Sequence, residues 1–228
     1  AAPFFAQVAF FEPHYPFQPG GVAVANPADV DIPPYLPDIS SLRHEIARYE
    51  ASITNMDTAV GCVLDALQRS AFADDTLVVF TTDHGSPLPR AKTTLYDPGI
   101  ATALLMRHPG MPTGRVVNAL FSNVDLVPTL LELLDLPVPA NLHGHSGAAL
   151  VRGNVASIRS EIFAEKTYHG IYDPMRCIRT DRWKLIANFE TGAWAHLDTE
   201  PQRLRLYVEV AETLRSTAYG QRHPTVEL

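Results

Sequence analysis

The sequence predicts an α/β fold in which helices flank a mixed, mostly parallel sheet, followed by a small C-terminal antiparallel sheet. Three observations predict it: an apolar run at residues 4–11, a helical pattern over residues 40–71, and a second apolar run at residues 76–82. Strand, helix and strand in this order form a right-handed crossover unit with parallel strands. We expect residues 1–150 to belong to the α/β domain and residues 151–228 to form the small antiparallel subdomain.

The first element is the run from Phe4 to Phe11. We expect a strand buried on both faces, because nearly all of its side chains are apolar. Pro13 and Pro16 follow, and they forbid both a helix and a central strand at that point. A proline-rich loop then continues to about Pro37, and connections of that length are usually functional or mobile.

The long helix is predicted by apolar residues that recur every three or four positions and form one stripe. They are Ile46, Tyr49, Ile53, Met56, Val60, Val63, Leu64 and Leu67. Residues 76–82 and 101–107 are apolar runs of strand length. Apolar residues at helical spacing predict a short helix within residues 124–134, which Pro137 ends.

The C-terminal part of the sequence has shorter, alternating runs at residues 161–165, 175–180 and 183–187. The last two are separated by a short polar turn and predict an antiparallel hairpin. Beyond residue 200 the apolar residues from Leu204 to Val210 alternate as in a strand, but a continuation to Leu214 also fits a helix. The pattern leaves both structures open.

The composition excludes several classes of protein. The chain has 228 residues, 46% of them hydrophobic, which is enough to bury a sizeable core. The net charge is −7 and the basic residues are not clustered, so nucleic acid is not an expected partner. The apolar runs are shorter than the roughly 20 residues of a membrane helix, so no membrane span is expected. Two cysteines are too few for a disulfide-built scaffold.

The most informative polar residues follow the predicted strand at residues 76–82. Asp83 and His84 come directly after it, and in an open α/β sheet ligands bind outside the carboxyl ends of the strands. A carboxylate beside a second ligand atom, on a chain turned by Gly85, is half of a shell that suits a divalent cation. The alternative is that Asp83 caps the next turn and His84 is an ordinary surface residue.

Basic residues occur near the same predicted site. Arg90 and Lys92 would add positive charge beside a cation, which fits a ligand with several anionic oxygens; otherwise they are a solvated pair. His14 follows the first predicted strand and could protonate a leaving oxygen, although a single loop histidine is more often merely exposed. His169 and Arg176 flank the loop before the hairpin, where Arg176 could bind a carboxylate or sulfate with two hydrogen bonds.

Five segments occur in a recognisable order. They are the segment from Phe4 to Phe17 with Glu12-Pro13-His14, Tyr49 to Asp57, Leu77 to Gly85, Lys92 to Gly99 and Ser122 to Leu130. Together they resemble the sulfatase family of the alkaline phosphatase-like superfamily. The combination of Lys92-Thr93-Thr94-Leu95-Tyr96 with Tyr168-His169 and Pro174-Met175-Arg176 is most similar to the heparan N-sulfatase (sulfamidase) branch and its bacterial relatives. The resemblance implies a hydrolase of a sulfated carbohydrate or another sulfate ester or sulfamate.

The resemblance also implies roles for individual residues. Asp83 and His84 match the second pair of metal ligands, at a site that commonly holds Ca²⁺. The family more often has Asp-Asn there, and because imidazole nitrogen suits softer ions, Mn²⁺ and Mg²⁺ are also candidates. Lys92 matches the basic residue that contacts the sulfate oxygens, and His14 matches the histidine that binds sulfate and assists the leaving group. The remaining candidates for substrate binding are Arg90, His169 and Arg176.

Two features of the family do not occur in this sequence. Sulfatases attack sulfur with a formylglycine made from a Cys/Ser-x-Pro-Ser-Arg motif, and an Asp-Asp pair on the first strand of their N-terminal part supplies the other metal ligands. Cys62 is followed by Val-Leu-Asp and Cys177 by Ile-Arg-Thr, so neither lies in that motif. We therefore expect the C-terminal portion of a sulfatase, inactive by itself, with formylglycine in a preceding segment.

Two other functions stay open at this point. One is a phosphonate or phosphodiester hydrolase of the same superfamily, whose metal pair can also be Asp-His. The other is a noncatalytic remnant that binds an anion or a glycan. The sequence does not predict the oligomeric state or the location, although sulfatases are often exported to the periplasm or outside the cell.

Overall fold

The computed structural model describes residues 3–190 and 203–216. The helices are α1 (Ser40–Gln68), α2 (Asp97–Ile100), α3 (Leu126–Leu133), α4 (Ala148–Arg152) and α5 (Leu204–Ser216), with 3₁₀ turns at Pro27–Asp29, Ala73–Asp75 and Asn123–Asp125. The strands are β1 (Val78–Thr81), β2 (Leu104–Arg107), β3 (Glu161–His169), β4 (Ile171–Thr180) and β5 (Lys184–Asn188). Among the described helices, none is both long and apolar enough to cross a membrane.

The strands of the described residues form two antiparallel sheets. β1 pairs with β2, and β3, β4 and β5 form a three-stranded sheet in that order. The small C-terminal antiparallel sheet is therefore confirmed, and β4 and β5 are its predicted hairpin. The parallel pairing predicted for the main sheet does not occur between any of these strands.

The predicted buried strand at residues 4–11 is wrong. The segment forms no strand, and its side chains are largely exposed, Phe5 to 88% and Phe11 to 58%. A strand is buried on both faces only where neighbouring strands and helices cover it, and none of the described strands pairs with this segment. The predicted strand–helix–strand crossover is consequently not formed within the described residues.

The described residues divide into two compact units. The first unit takes in residues 3–73, 87–90 and 203–216, and the second takes in residues 74–86 and 91–190. The domain boundary predicted at residue 150 stays a prediction.

The core of the first unit lies along the N-terminal half of α1. Leu42, Ile46 and Ala47 are buried on one face of the helix, and of these Ile46 belongs to the predicted stripe. Buried residues from elsewhere in the unit pack with them: Val30, Leu36, Leu88, Val210 and Leu214. Two of these come from α5, so the ambiguous C-terminal pattern is a helix. The far end of the predicted α1 stripe is less covered, and Val63 is 40% exposed.

The core of the second unit lies on one face of the three-stranded sheet. Ala164, Cys177 and Ile186 are register partners across β3, β4 and β5, so their side chains lie on the same face. Met175 shares this face, and Leu95 packs against it from the loop that precedes α2. The sheet therefore supports a loop that carries residues of the predicted site.

A buried carboxylate holds the start of α3 in the same unit. Asp125 is fully buried, pairs with Arg159 at 2.5 Å, and accepts hydrogen bonds from the backbone N–H groups of Ser122 and His145. Burial alone would raise the pKa of Asp125, but these donors outweigh it and lower the pKa below its ordinary value. Within the motif at residues 122–130, this aspartate is structural.

Candidate functional site

Asp83 and His84 follow β1 as predicted, and their ligand atoms are close together. The backbone N–H of His84 donates to Oδ1 of Asp83 at 3.0 Å. Nδ1 of His84 lies 2.9 Å from the carbonyl oxygen of Gly85. Because a carbonyl can only accept, Nδ1 carries the proton and the lone pair is on Nε2. Nε2 lies 3.7 Å from Oδ1 of Asp83, whose side chain is 89% exposed.

This arrangement fits two ligands of one divalent cation. Ligand atoms that each lie about 2.0–2.6 Å from a common ion are separated by roughly 3–5 Å, which includes the distance between Nε2 and Oδ1. A hydrogen bond from the other ring nitrogen to a backbone carbonyl is also the usual support of a metal-binding histidine. Among the described residues, no group of three or more His, Cys, Asp or Glu side chains converges on one point, so the pair is at most half of a shell.

Close backbone contacts join the Asp83-His84 turn to the start of α2. The N–H of Gly85 donates to Gly99 at 3.0 Å, and the N–H of Ser86 donates to Pro98 at 2.7 Å. A Cβ atom at Gly85 would clash with the carbonyl of Pro98, and one at Gly99 would clash with the carbonyl of Ala91. Both positions therefore require glycine because two segments of backbone meet there.

The Lys92 loop, which we define as residues 91–97, is tied to the same turn. The N–H of Lys92 donates to the carbonyl oxygen of Ser86 at 3.0 Å. Arg90 and Thr93, on either side, have positive φ angles of 61° and 72°, which are strained for residues other than glycine. Thr94 is buried, and its hydroxyl donates to the carbonyl of Ala91 at 2.8 Å. The fold thus fixes the backbone on both sides of Lys92.

The side chain of Lys92 is available for an external anion. It is half-buried, and within residues 3–190 and 203–216 no acidic side chain forms an ion pair with it. The structure therefore places Asp83, His84 and the backbone of Lys92 in neighbouring loops of the second unit, and that their side chains form one site stays a prediction.

The far end of the Lys92 loop is held by the C-terminal sheet. The carboxylate of Asp97 accepts from Nζ of Lys184 at 2.8 Å and also pairs with Arg179. Burial alone would raise the pKa of Asp97, but the hydrogen bonds from Lys184 and Arg179 outweigh it, so the net pKa is lowered. Leu95, between the two ends, is buried against Met175.

The predicted residues His14 and Arg90 belong to the first unit. His14 is exposed; its Nδ1 donates to the carbonyl oxygen of Tyr15 at 2.5 Å, and its ring packs 5.2 Å from that of Phe11. The guanidinium of Arg90 donates to the carbonyl oxygen of Tyr35 at 2.8 Å. That the two residues share a site with Asp83 stays a prediction.

His169 and Arg176 lie on the C-terminal hairpin of β3 and β4. His169 stands beside the turn at Gly170. Arg176 is exposed and pairs with Glu165 at 3.0 Å, on the sheet face opposite to buried Met175. Since Met175 faces the Lys92 loop, the structure does not bring Arg176 to that loop.

The sequence did not lead us to predict a role for Arg203, the most buried basic residue among the described residues of the first unit. Its side chain is 2% exposed, its guanidinium lies 4.9 Å from the ring centre of Tyr15, and it donates to the carbonyl of Pro87 at 2.9 Å. Its Nε is 3.3 Å from Glu45. Burial raises the pKa of Glu45, although Arg203 opposes that shift. An adjacent cleft of about 340 Å³ is lined by Tyr15, Ser41, Glu45, Arg203, Arg205, Leu206 and Glu209.

Arg203 holds the segment that carries His14. We define the His14 loop as residues 12–17; Tyr15 and Phe17 both lie against the guanidinium of Arg203, and Arg48 donates to the carbonyl of Phe17 at 3.0 Å. These contacts join α1, α5 and the loop. Nothing near Arg203 in the sequence pointed to this role, because its partners are distant along the chain.

Comparisons with known proteins agree with the motifs. A family model described as sulfatase matches residues 1–136, and a model described as N-sulphoglucosamine sulphohydrolase, C-terminal, matches residues 90–215. Human N-sulphoglucosamine sulphohydrolase is 31% identical over 174 residues, 72% of this chain and 35% of the relative. An ulvan-active sulfatase of Formosa agariphila is 31% identical over 189 residues, 78% of this chain and 31% of the relative.

Solved structures are similar in fold. A 2-O GAG sulfatase, BT1596, matches with a TM-score of 0.62 and 23% identity over 79% of this chain and 44% of that chain. A phosphonate monoester hydrolase from Silicibacter pomeroyi matches with a TM-score of 0.53 and 21% identity over 83% of this chain and 44% of that chain. These similarities confirm the α/β fold class. The chain spans about a third of the length of the curated relatives above.

Proposed function

Because the chain belongs to the sulfatase family, we propose that it is part of an enzyme that hydrolyses sulfate esters or sulfamates, with a sulfated carbohydrate as its substrate class. The observations that carry this proposal are that a backbone hydrogen bond from Lys92 to Ser86 joins its loop to the Asp83-His84 turn, and that Lys92 has no acidic partner among the described residues. Two ligands of a cation, together with a lysine in a neighbouring loop, would suit an anion with several oxygens.

In this proposal, Asp83 and His84 hold half of the coordination shell of a divalent cation. Oδ1 of Asp83 and Nε2 of His84 are the ligand atoms, and the hydrogen bond from Nδ1 to Gly85 orients the imidazole. Ca²⁺ is the ion that the family commonly uses; Mn²⁺ accepts an imidazole nitrogen more readily, and Mg²⁺ is a further candidate. When bound, the cation supplies positive charge that polarises the sulfate group.

Lys92 and His14 carry the polar contacts to substrate. The ammonium group of Lys92 binds equatorial sulfate oxygens, on which negative charge is concentrated in the transition state. As an imidazolium, His14 would give the proton on Nε2 to the leaving oxygen or nitrogen, while its Nδ1–H stays hydrogen-bonded to the carbonyl of Tyr15. Arg90, His169 and Arg176 are weaker candidates for substrate binding, because Arg90 and Arg176 already have protein partners.

The nucleophile is not provided by this chain. Cys62 is exposed on α1 and Cys177 is buried in β4, where burial raises the pKa of its thiol. Neither has the sequence from which formylglycine is made. We propose that formylglycine, which supplies the oxygen nucleophile, comes from residues outside these 228, and that this chain alone is inactive.

A phosphonate or phosphodiester hydrolase is the second candidate. The Asp83-His84 pair favours it, because the sulfatase resemblance more often has Asp-Asn at these positions. The two reactions need the same cation and lysine, so the geometry of the described residues suits both.

The experiment that tests the proposal is a substrate panel on the full-length product of the gene that encodes these residues. Aryl sulfate, N-sulfoglucosamine and an aryl phosphodiester are assayed with Ca²⁺, Mn²⁺ or Mg²⁺, beside the 228-residue chain as a control. Turnover of a sulfur substrate by the full-length protein, with no turnover by the chain alone, is the expected result. Cleavage of the phosphodiester alone would replace the proposal by its alternative, and no turnover of any substrate would favour a noncatalytic binding protein.

A further inference from the structure

A buried ion pair from the C-terminal sheet lies directly against the Lys92 loop. Lys166 on β3 pairs with Asp173 on β4, and their side chains are only 10% and 3% exposed. Nζ of Lys166 also donates to the carbonyl oxygen of Thr93 at 2.8 Å. The pair therefore reaches the peptide between Thr93 and Thr94, one residue beyond Lys92.

The hydrogen bond from Lys166 is made to a residue with a strained backbone conformation. Thr93 has a φ of 72°, a conformation that a β-branched residue avoids unless its surroundings impose it. The carbonyl of Thr93 would lose a strong donor if Lys166 were removed. Lys166 therefore stabilises the strained turn immediately after Lys92.

The charge of Lys166 is compensated within the protein. The ammonium group of Lys166 donates one hydrogen bond to the carboxylate of Asp173 and another to the carbonyl oxygen of Thr93. Lys166 is thus a donor to the loop, while Lys92 has no acidic partner among the described residues and keeps its charge for an anion. The neighbouring pair of Glu165 and Arg176 is exposed on the other face of the sheet, so it has no such contact.

We propose that Lys166 and Asp173 are positioning residues that fix Lys92 for binding the sulfate group through the peptide of Thr93. This inference rests on the proposed function of Lys92. It assigns a role in substrate binding to two residues of the C-terminal sheet that have no contact with the substrate themselves.

The variants are chosen so that the protein still folds. Lys166→Met alone leaves the charge of Asp173 buried without its partner, which is costly. The double variant K166M/D173L removes both charges; Met matches the volume of Lys166 whereas Leu exceeds that of Asp173, and apolar replacements of a buried ion pair are often tolerated. Lys166→Arg is the conservative variant. Arg159→Lys is the matched control, because it weakens another buried ion pair of the second unit that has no contact with the Lys92 loop.

The test is a double-mutant cycle on kcat/KM for the sulfur substrate of the full-length gene product. K166M/D173L should lower kcat/KM by about tenfold to 10²-fold, since a misplacement of about 1 Å has effects of that size. In the background of Lys92→Met it should have no further effect, because it acts through Lys92. Lys166→Arg should restore part of the activity, and Arg159→Lys should leave kcat/KM unchanged.

Hydrogen exchange of the chain gives a readout that does not depend on activity. The N–H groups of Lys92 and Thr94 are hydrogen-bonded to Ser86 and Ala91, so faster exchange at both in K166M/D173L would show that the loop has lost its position. Unchanged exchange, or effects that add to those of Lys92→Met, would overturn the inference while the proposed function stands. A Lys92→Met protein with wild-type kcat/KM would instead overturn the role of Lys92 and, with it, the inference.

Discussion

The His14 loop and the Lys92 loop both carry a proposed catalytic residue, but they are held by different interactions. The His14 loop rests against buried Arg203 through aromatic rings, with a further hydrogen bond from Arg48. The Lys92 loop is held at one end by Lys166 and at the other through Asp97. The contacts of the His14 loop are thus centred on buried Arg203, whereas those of the Lys92 loop are distributed over several ion pairs of a sheet. A loop of the first kind should be more sensitive to one substitution.

Arg203→Ala should have the largest effect on stability. It removes the cation beside Tyr15 and Phe17, the donor to Pro87 and the partner of Glu45, so we expect the free energy of unfolding to fall by about 3 kcal/mol or more. Urea denaturation of the chain measures this value. Arg205→Ala, at an exposed position of α5, which begins directly after Arg203, is the control and should change it by less than ~0.5 kcal/mol. Equal effects of the two variants would contradict the role given to Arg203.

The pH dependence of the free energy of unfolding should show a smaller difference between the region of Arg203 and the Lys92 loop. The folded pKa of Glu45 is raised mainly by burial, so its contribution is fully present below its unfolded pKa and is lost as pH rises through the folded pKa. The net pKa of Asp97 is lowered, because its basic partners outweigh burial; its contribution is present above the unfolded pKa and is lost as pH falls through the folded pKa.

Substitution of Glu45 and substitution of Asp97 should flatten opposite sides of the plot of unfolding free energy against pH. In Glu45→Gln, the free energy of unfolding should no longer fall as the pH is raised above about 4.3. In Asp97→Asn, it should no longer fall as the pH is lowered through the more acidic range. The effect of Asp97→Asn should be below about 1 kcal/mol, since its side chain is 53% exposed and solvent screens its ion pairs. Urea midpoints between pH 2.5 and 7 measure both. Identical changes in the two variants would contradict the assigned pKa directions.

Much of this structure follows from local sequence patterns. The spacing of Ile46 and its neighbours predicted α1, and the alternation at residues 175–187 predicted the β4–β5 hairpin. The position of Asp83 and His84 after β1 was also predictable, because sequence order alone puts them at the end of that strand. Such features depend on residues close together in the chain.

Features that depend on distant partners were not predictable. The aromatic run at residues 4–11 has the composition of a buried strand, but burial needs covering elements that local sequence does not specify. Arg203 meets Tyr15 and Pro87 only after the chain has folded. Lys166 did leave a signal: it alternates with Ala164 on the inward side of β3, and a lysine there requires a buried acidic partner such as Asp173.

We propose that the second unit carries half of a cation site and a sulfate-binding lysine. The direct measurement is kcat/KM of the full-length gene product, with Asp83→Ala and Lys92→Ala, on its best sulfur substrate. Each variant should lose about 10²-fold or more, because each removes charge stabilisation from the transition state. The controls Asp65→Ala and Arg69→Ala, at exposed positions near the end of α1, should retain wild-type values. Near-wild-type kcat/KM in both Asp83→Ala and Lys92→Ala would contradict the account.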